Sequence, residues 1–357
     1  MKKKLILVNF QKSDTAATTI GWLIAFYRKA GKTVKVLHGE KIYVGAAHSV
    51  PSSNKLLMEK KLESLQNISE DILMVINLTP SVEQVADLAE GLPKCNYLSR
   101  DFFHVTVFSD LKNVAFLGNV NLKLAGEYAN ILGEGKSFTL SSCPTPQAGA
   151  IEILAAIAKT EHKITVSGKS YSGKGSVVNG LATLLGYGSF SCGNDITRLL
   201  AAERGMTIEE LVASFGDNIA GRAAYDKMTD DKQEEEMRTN SRRVSEGRLA
   251  GFTAEKVDPV RIFRIYMKVS LEQATRRALN VKQGERISSS SHASYEEAKQ
   301  AIMKRDEKDM KAYLQTYNYD YTNPVNYHLV IDTDILNKPQ SVLVALYGYA
   351  RFLISLS

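Results

Sequence analysis

The sequence predicts an α/β protein of two domains, residues 1–145 and 146–357, each a three-layer arrangement around a mainly parallel sheet. Three observations carry this. The chain has 357 residues, whereas a domain usually runs to about 100–200. Apolar, strand-like runs alternate with helical periods along its whole length, as in βαβ units with buried parallel strands. The alternation breaks once, at "SFTLSSCPTPQAGA" (137–150), and then restarts. In order, "KLILVNF" (4–10) reads as a strand, "ATTIGWLIAFYRKAG" as a helix and "TVKVLHG" (33–39) as a second strand. "DILMVINL" (71–78) and a helical "SVEQVADLAEGL" continue the pattern. After the Ser-, Pro- and Gly-rich break comes an Ala/Ile-rich helix at about 149–160, and "KITVSG" (163–168) reopens a strand that begins a complete α/β domain.

Composition narrows the function. A hydrophobic share of 44% against 24% charged residues is ordinary for a globular chain and leaves no room for large-scale disorder. Lys and Arg number 45 against 39 Asp and Glu, a net charge of +6, with the two signs interleaved. A nucleic-acid binder concentrates its basic residues on a face or tail, so nucleic acid is not an expected partner. Cys95, Cys143 and Cys192 are odd in number and widely spaced, which supports neither a disulfide framework nor a zinc site and suits a reducing cytoplasm. "MKKKLILVNFQK" is too short in its apolar run for a secretory signal, and "SVLVALYGYARFLISLS" reads as a docking helix, so no membrane association is expected.

The stretch "VSGKSYSGKGSVV" (166–178) raises the functional question. A phosphate loop has the pattern G-x-x-x-x-G-K-[ST] between a strand and a helix. Gly168, Gly173 and Lys174 fit it, Gly175 follows, and the hydroxyl arrives one place later at Ser176. Backbone N–H groups of residues 169–176, Ser172 among them, would wrap phosphates, Lys174 would reach the β/γ oxygens, and the helix would point its positive end at them. Against this stands an ordinary Gly/Ser/Lys-rich turn, and Tyr171 is bulky where such loops often carry glycine.

Three further stretches, "GSFSCGNDITRLLAAERGMTIEEL" (188–211), "RRVSEGRLAGF" (242–252) and "IMKRDEKDMKAYLQTYNYDYTNPVNYHLVIDT" (302–333), accompany the loop in order. Together they resemble the cytidylate kinase family, in particular its archaeal-type branch, over about residues 163–335. The resemblance implies a P-loop nucleoside-monophosphate-kinase fold, with ATP and Mg²⁺ as cofactors. It assigns Lys174 to the donor β/γ phosphates, Ser176 to Mg²⁺, and Glu246 to the metal through water, although a helix N-terminal acid is the plain alternative for Glu246. Arg248 becomes the fork beside the acceptor phosphate. Arg198 and Ser191 fall in the element that contacts the monophosphate, with one extra residue between them relative to the family. Arg277 aligns with the lid arginine of "TRRALNVKQGERISSSSHAS" (275–294), which is otherwise a flexible surface loop. Arg305 and Asp309, four apart on a helix, fall beside the acceptor, and the family's further Arg is Ala312 here. Asp226, Asp230 and Gln233 fall where the family approaches the acceptor base; without the resemblance they belong to a solvated helix. Tyr171 could stack on or shield a nucleotide.

In the first half, "KSDTAATT" (12–19) can be laid without gaps on K-G-G-x-G-K-T-T, the loop of partitioning-type ATPases, which this half resembles over perhaps residues 1–130. Ser13, Asp14, Ala16 and Ala17 replace the glycines and the central lysine, so a Rossmann-like domain with a worn site, or a plain Rossmann-like partner domain, is expected. Its task would be docking a protein partner or self-association. For the whole chain the expectation is ATP-dependent phosphorylation of a nucleoside monophosphate, CMP or dCMP first. The alternatives are a nucleotide-binding regulatory or scaffold protein, or a kinase of another small molecule.

Overall fold

The computed structural model describes residues 5–9, 14–31, 33–38, 41–46, 57–64, 72–77, 97–99, 103–106, 113–117, 136–139, 144–158, 160–191, 195–215, 219–280 and 294–356. The chain divides into two compact units, one of Met1–Thr160 with Leu184–Gly186 and Ala350–Ser357, the other of Glu161–Thr183 and Tyr187–Tyr349.

The first unit holds a nine-stranded sheet of β1 (Leu5–Asn9), β2 (Thr33–His38), β3 (Lys41–Ala46), β4 (Leu57–Ser64), β5 (Ile72–Asn77), β6 (Tyr97–Ser99), β7 (Phe103–Thr106), β8 (Asn113–Leu117) and β9 (Lys136–Thr139), ordered β4-β3-β2-β1-β5-β6-β7-β8-β9. It departs from the mainly parallel expectation. β1 pairs parallel with β2 and β5, as do β5 with β6 and β8 with β9, while β2–β3–β4 and β6–β7–β8 run antiparallel. The reason is chain length: only Gly39 and Glu40 separate β2 from β3, and a parallel crossover needs a dozen or more residues. Helix α1 (Asp14–Lys29) packs on α2 (Pro146–Ala158), whose first residue is a proline that needs no N–H partner there. Trp22, Leu23, Ile24, Phe26 and Tyr27 are all buried, so this helix is covered on every side over that turn and a half. α1 already includes Asp14 to Thr19 of the worn loop, while Lys12, Ser13 and the helical stretch 81–92 lie outside the described residues.

The second unit is built on β10 (Lys163–Gly168), β11 (Gly188–Ser191), β12 (Arg243–Glu246), β13 (Phe263–Lys268) and β14 (Leu329–Asp332), ordered β11-β12-β10-β13-β14 and parallel throughout. Its helices are α3 (Lys174–Leu185), α4 (Asp195–Glu203), α5 (Ile208–Ser214), α6 (Ile219–Thr239), α7 (Ala250–Val257), α8 (Leu271–Leu279), α9 (Tyr295–Tyr317) and α10 (Lys338–Leu356), with α3 from Leu184 and α10 from Ala350 grouped with the first unit. Central β10 is buried from Ile164 to Gly168, as a strand covered on both faces must be. Strand register brings Ser191 beside Glu246, Glu246 beside Val166 and Gly168 beside Met267. The carboxyl ends of β10, β11, β12 and β13 therefore share one edge. The order reverses on either side of β10, and in open α/β sheets that is where ligands bind. Among the described residues no helix is long and apolar enough to cross a membrane.

Candidate nucleotide site

The loop between β10 and α3 is shaped by its backbone. Gly168 has φ +153°, and a Cβ there would stand 2.6 Å from the Met267 carbonyl oxygen and 2.7 Å from Ser172 Oγ. Gly173 has φ +87° and Tyr171 φ 56°, so the chain turns through the left-handed region twice in three residues. Lys174 begins α3 and donates from Nζ to the carbonyls of Gly168 (2.9 Å) and Lys169 (2.8 Å), folding across the loop it serves. Ser172 is fully buried, and its Oγ has no hydrogen-bond partner. A buried hydroxyl left unmatched inside a glycine-formed cradle at a helix N-terminus fits an anion that brings its own oxygens.

Tyr171 is partly buried at the tip of the loop. Its ring packs against Ala274, Ala278, Ala298 and Ile302, the apolar faces of α8 and α9. The tyrosine ties the loop tip to the helices, and its carbonyl accepts from Arg277 Nη1 at 3.1 Å.

Glu246 ends β12 with one carboxylate oxygen accepting from Ser191 Oγ at 3.1 Å and the other 3.4 Å from where a Cβ on Gly175 would lie. Its carboxylate thus faces the first turn of α3, which carries Ser176. One carboxylate and one hydroxyl suit Mg²⁺, which takes few protein ligands and fills its octahedron with phosphate oxygens and water.

Arg248 and α9 form the second array. Arg248 Nη2 donates to Ser170 Oγ (2.7 Å) and Asp306 Oδ1 (3.0 Å), and Nη1 pairs with Asp309. Its Nε is buried and without a partner. Burial works against the Arg248 charge, but neighbours led by Asp309 outweigh it, so its pKa stands above the ordinary guanidinium value. Arg305 shares a face of α9 with Asp309; desolvation first, and the Arg248 charge second, lower its pKa. Arg277, on α8, donates from Nη1 to Thr333 Oγ1 (3.0 Å) and from Nη2 to the Thr333 carbonyl (2.5 Å), and desolvation lowers its pKa.

The remaining residues named from the sequence are more dispersed. Arg198 is exposed on α4 and stands 3.6 Å from Asp195, whose carboxylate also accepts from the Ser191 backbone N–H at 2.7 Å. Asp230 accepts from Tyr317 Oη, and Gln233 is buried with its Nε2 unpartnered. The Asp226 side chain and residues 281–293 of the lid stretch lie outside the described residues. Sequence reasoning missed Ser170 and Asp306. A signal existed for Asp306, since it lies three residues before Asp309 on one helical face, but a charge between Arg305 and Glu307 reads as solvated surface.

With this geometry in place, comparison with known proteins is informative. Residues 163–335 match the cytidylate kinase-like family. A cytidylate kinase of Methanospirillum hungatei is 30% identical over 182 residues, which is 51% of this chain and 93% of the relative. One of Methanocella arvoryzae is 36% identical over 170 residues, 48% of this chain and 86% of the relative. Among solved structures, a shikimate kinase of Bacteroides thetaiotaomicron aligns at 14% identity over 54% of this chain and 98% of its own, with a TM-score of 0.38.

Proposed function

The chain belongs to the cytidylate kinase-like family, and from that premise we propose that its second unit transfers the γ-phosphoryl group of ATP to a nucleoside monophosphate, with CMP or dCMP as first choice. The observation that supports this reading is the contact between two anion-holding arrays. Arg248 reaches Ser170 of the phosphate loop at 2.7 Å while keeping a buried N–H unpaired. In-line transfer requires donor and acceptor phosphates to meet, and an arginine touching the donor loop is placed to hold the acceptor there.

In this reading Lys174 holds the donor phosphates from one side and the loop N–H groups from the other. Arg248, Arg277 and Arg305 spread the charge that builds on the moving group. The acceptor is itself a phosphate, with a second pKa of about 6, so at neutral pH its oxygen attacks without a general base. Ser176 and Glu246 would hold Mg²⁺, which supplies charge neutralisation between the donor oxygens. The cytidylate kinases cited above carry the acceptor choice by their names only; Ser191, Arg198, Asp226 and Asp309 are the residues proposed to set it here.

A coupled assay of ADP release over a panel of ribo- and deoxyribonucleoside monophosphates tests the proposal. CMP or dCMP is expected to give the highest kcat/KM, and Lys174→Ala to lose at least about a hundredfold, the scale of a lost charge clamp on the transition state. Equal rates for Lys174→Ala and the natural chain would refute catalysis by this loop. Turnover confined to a non-cytidine acceptor, or to another small molecule, would keep the kinase and replace its substrate.

A further inference from the structure

We propose that Asp306 is a positioning residue that couples the donor loop to the acceptor clamp, so that a nucleotide seated in the loop strengthens acceptor binding at Arg248. The proposal rests on the reading of Arg248 as the acceptor clamp.

Asp306 Oδ1 accepts from three donors on two elements. The Ser170 backbone N–H lies at 3.4 Å, Ser170 Oγ at 3.0 Å and Arg248 Nη2 at 3.0 Å. Arg248 Nη2 also donates to Ser170 Oγ at 2.7 Å, so the three residues close a ring. Ser170 belongs to the turn whose N–H groups would cradle donor phosphates, and Arg248 follows β12 two residues after Glu246. The carboxylate on α9 is therefore a bridge between the loop and the clamp, with side chains only 13% and 14% exposed at Asp306 and Arg248.

The fork of Arg248 shows what the bridge is for. Asp306 and Ser170 take Nη2, and Asp309 takes Nη1. The nitrogen left over is Nε, which is buried and unpartnered. What holds the two terminal nitrogens sets the direction of the remaining edge, and one of those holders is Ser170 of the loop. Seating phosphates in the loop fixes Ser170, the ring transmits that to Nη2, and Arg248 meets the acceptor already oriented. Each site then gains from occupation of the other, and by linkage the gain is the same in both directions.

Isothermal titration of the full chain with CMP, with and without a saturating non-hydrolysable ATP analogue and Mg²⁺, reads the coupling directly. The natural chain should bind CMP about fivefold or more tightly with the analogue present, the lower end of ordinary coupling between sites. Asp306→Asn keeps the volume and loses the charge. It should bring the ratio close to one while changing affinity for the analogue alone by less than about threefold, and Asp306→Glu should restore part of the ratio. Ser170→Ala cuts the ring at the loop end and should likewise bring the ratio close to one, with no further loss of coupling in the double variant. Ser170→Ala also stands in where Asp306→Asn melts early. A natural-chain ratio near one overturns the proposal. So does a ratio preserved in both single variants, or a loss of CMP affinity that is the same with and without the analogue. The underlying reading fails separately: Arg248→Ala that binds CMP as the natural chain does removes the clamp, and the coupling with it.

Discussion

Gly168 and Gly205 both have positive φ, but only Gly168 is also hemmed in. At Gly205 (φ +64°) an added Cβ meets nothing within 4 Å, whereas at Gly168 (φ +153°) it meets the Met267 carbonyl at 2.6 Å. A left-handed alanine costs about 1–2 kcal/mol, so Gly205→Ala should lose about that much by denaturant unfolding and keep its nucleotide affinity. Gly168→Ala adds a clash with backbone of the neighbouring strand, which cannot swing aside as a side chain can. It should lose clearly more stability than Gly205→Ala, and roughly tenfold or more in ATP affinity if the displaced loop forfeits even one hydrogen bond of about 1.5 kcal/mol to a charged group. Equal losses in the two variants would show that the loop tolerates the Cβ. Legibility in the sequence divides along the same line. Gly168, Gly173 and Lys174 were readable because local backbone demands leave local residues. Tyr171 and Asp306 were not, because Ala298 and Ile302, which hold the ring, and Ser170, which the carboxylate binds, are more than a hundred residues away from them in the chain.

At the scale of the element, α9 does most of the organising on the acceptor side. Its start is fixed by Ser294, which accepts from the Glu297 N–H, and by Glu296 and Glu297 in the first turn; its end by Asn318 at φ 51°. Between those stops Arg305, Asp309 and position 312 fall at i, i+4 and i+7 on one face. Position 312 is an alanine, so the face ends in a gap where the family resemblance places a further arginine beside Arg305. Ala312→Arg should therefore raise kcat/KM for the preferred monophosphate by about tenfold, the worth of a hydrogen bond to a charged group at the low end of about 1.5–3 kcal/mol, and leave KM for ATP unchanged. Ala312→Gln supplies length without charge and should do nothing. A rise in both variants, or in neither, would mean that the gap does not face the acceptor phosphate. That this stretch is helical was legible in the sequence, as was a parallel sheet in the second domain, because each crossover there is long enough to hold a helix. The β2–β3 hairpin escaped notice because the strand-like run 33–39 extends through Gly39, and residues 41–46 just beyond it were not read as a strand of their own.

For the whole molecule, the sequence offers two places where a nucleotide loop could stand, and a single thermodynamic experiment separates them. The loop, Glu246, Arg248, Arg277 and α9 all belong to the second unit. In the first unit α1 has already begun at Asp14, so Asp14 to Thr19 are helical where a phosphate loop would still be open backbone, and Asp14 and Ala17 replace a glycine and the lysine. A ligand that binds only the native state stabilises it by about 2.7 kcal/mol at a hundred times its Kd. For a domain of about 150–250 residues each kcal/mol moves Tm by about 2–4 °C. MgATP at that excess should thus raise the calorimetric transition of the second unit by roughly 5–10 °C. Lys174→Ala should abolish most of that rise, since this is the lysine whose ammonium folds back across the loop turn, and Lys12→Ala should leave it intact. Binding through the first unit would produce the opposite pattern, with the shift lost in Lys12→Ala and kept in Lys174→Ala. EDTA should shrink the shift in the natural chain, because the Ser176 and Glu246 side chains would contribute to ATP binding through the metal they share with its phosphates.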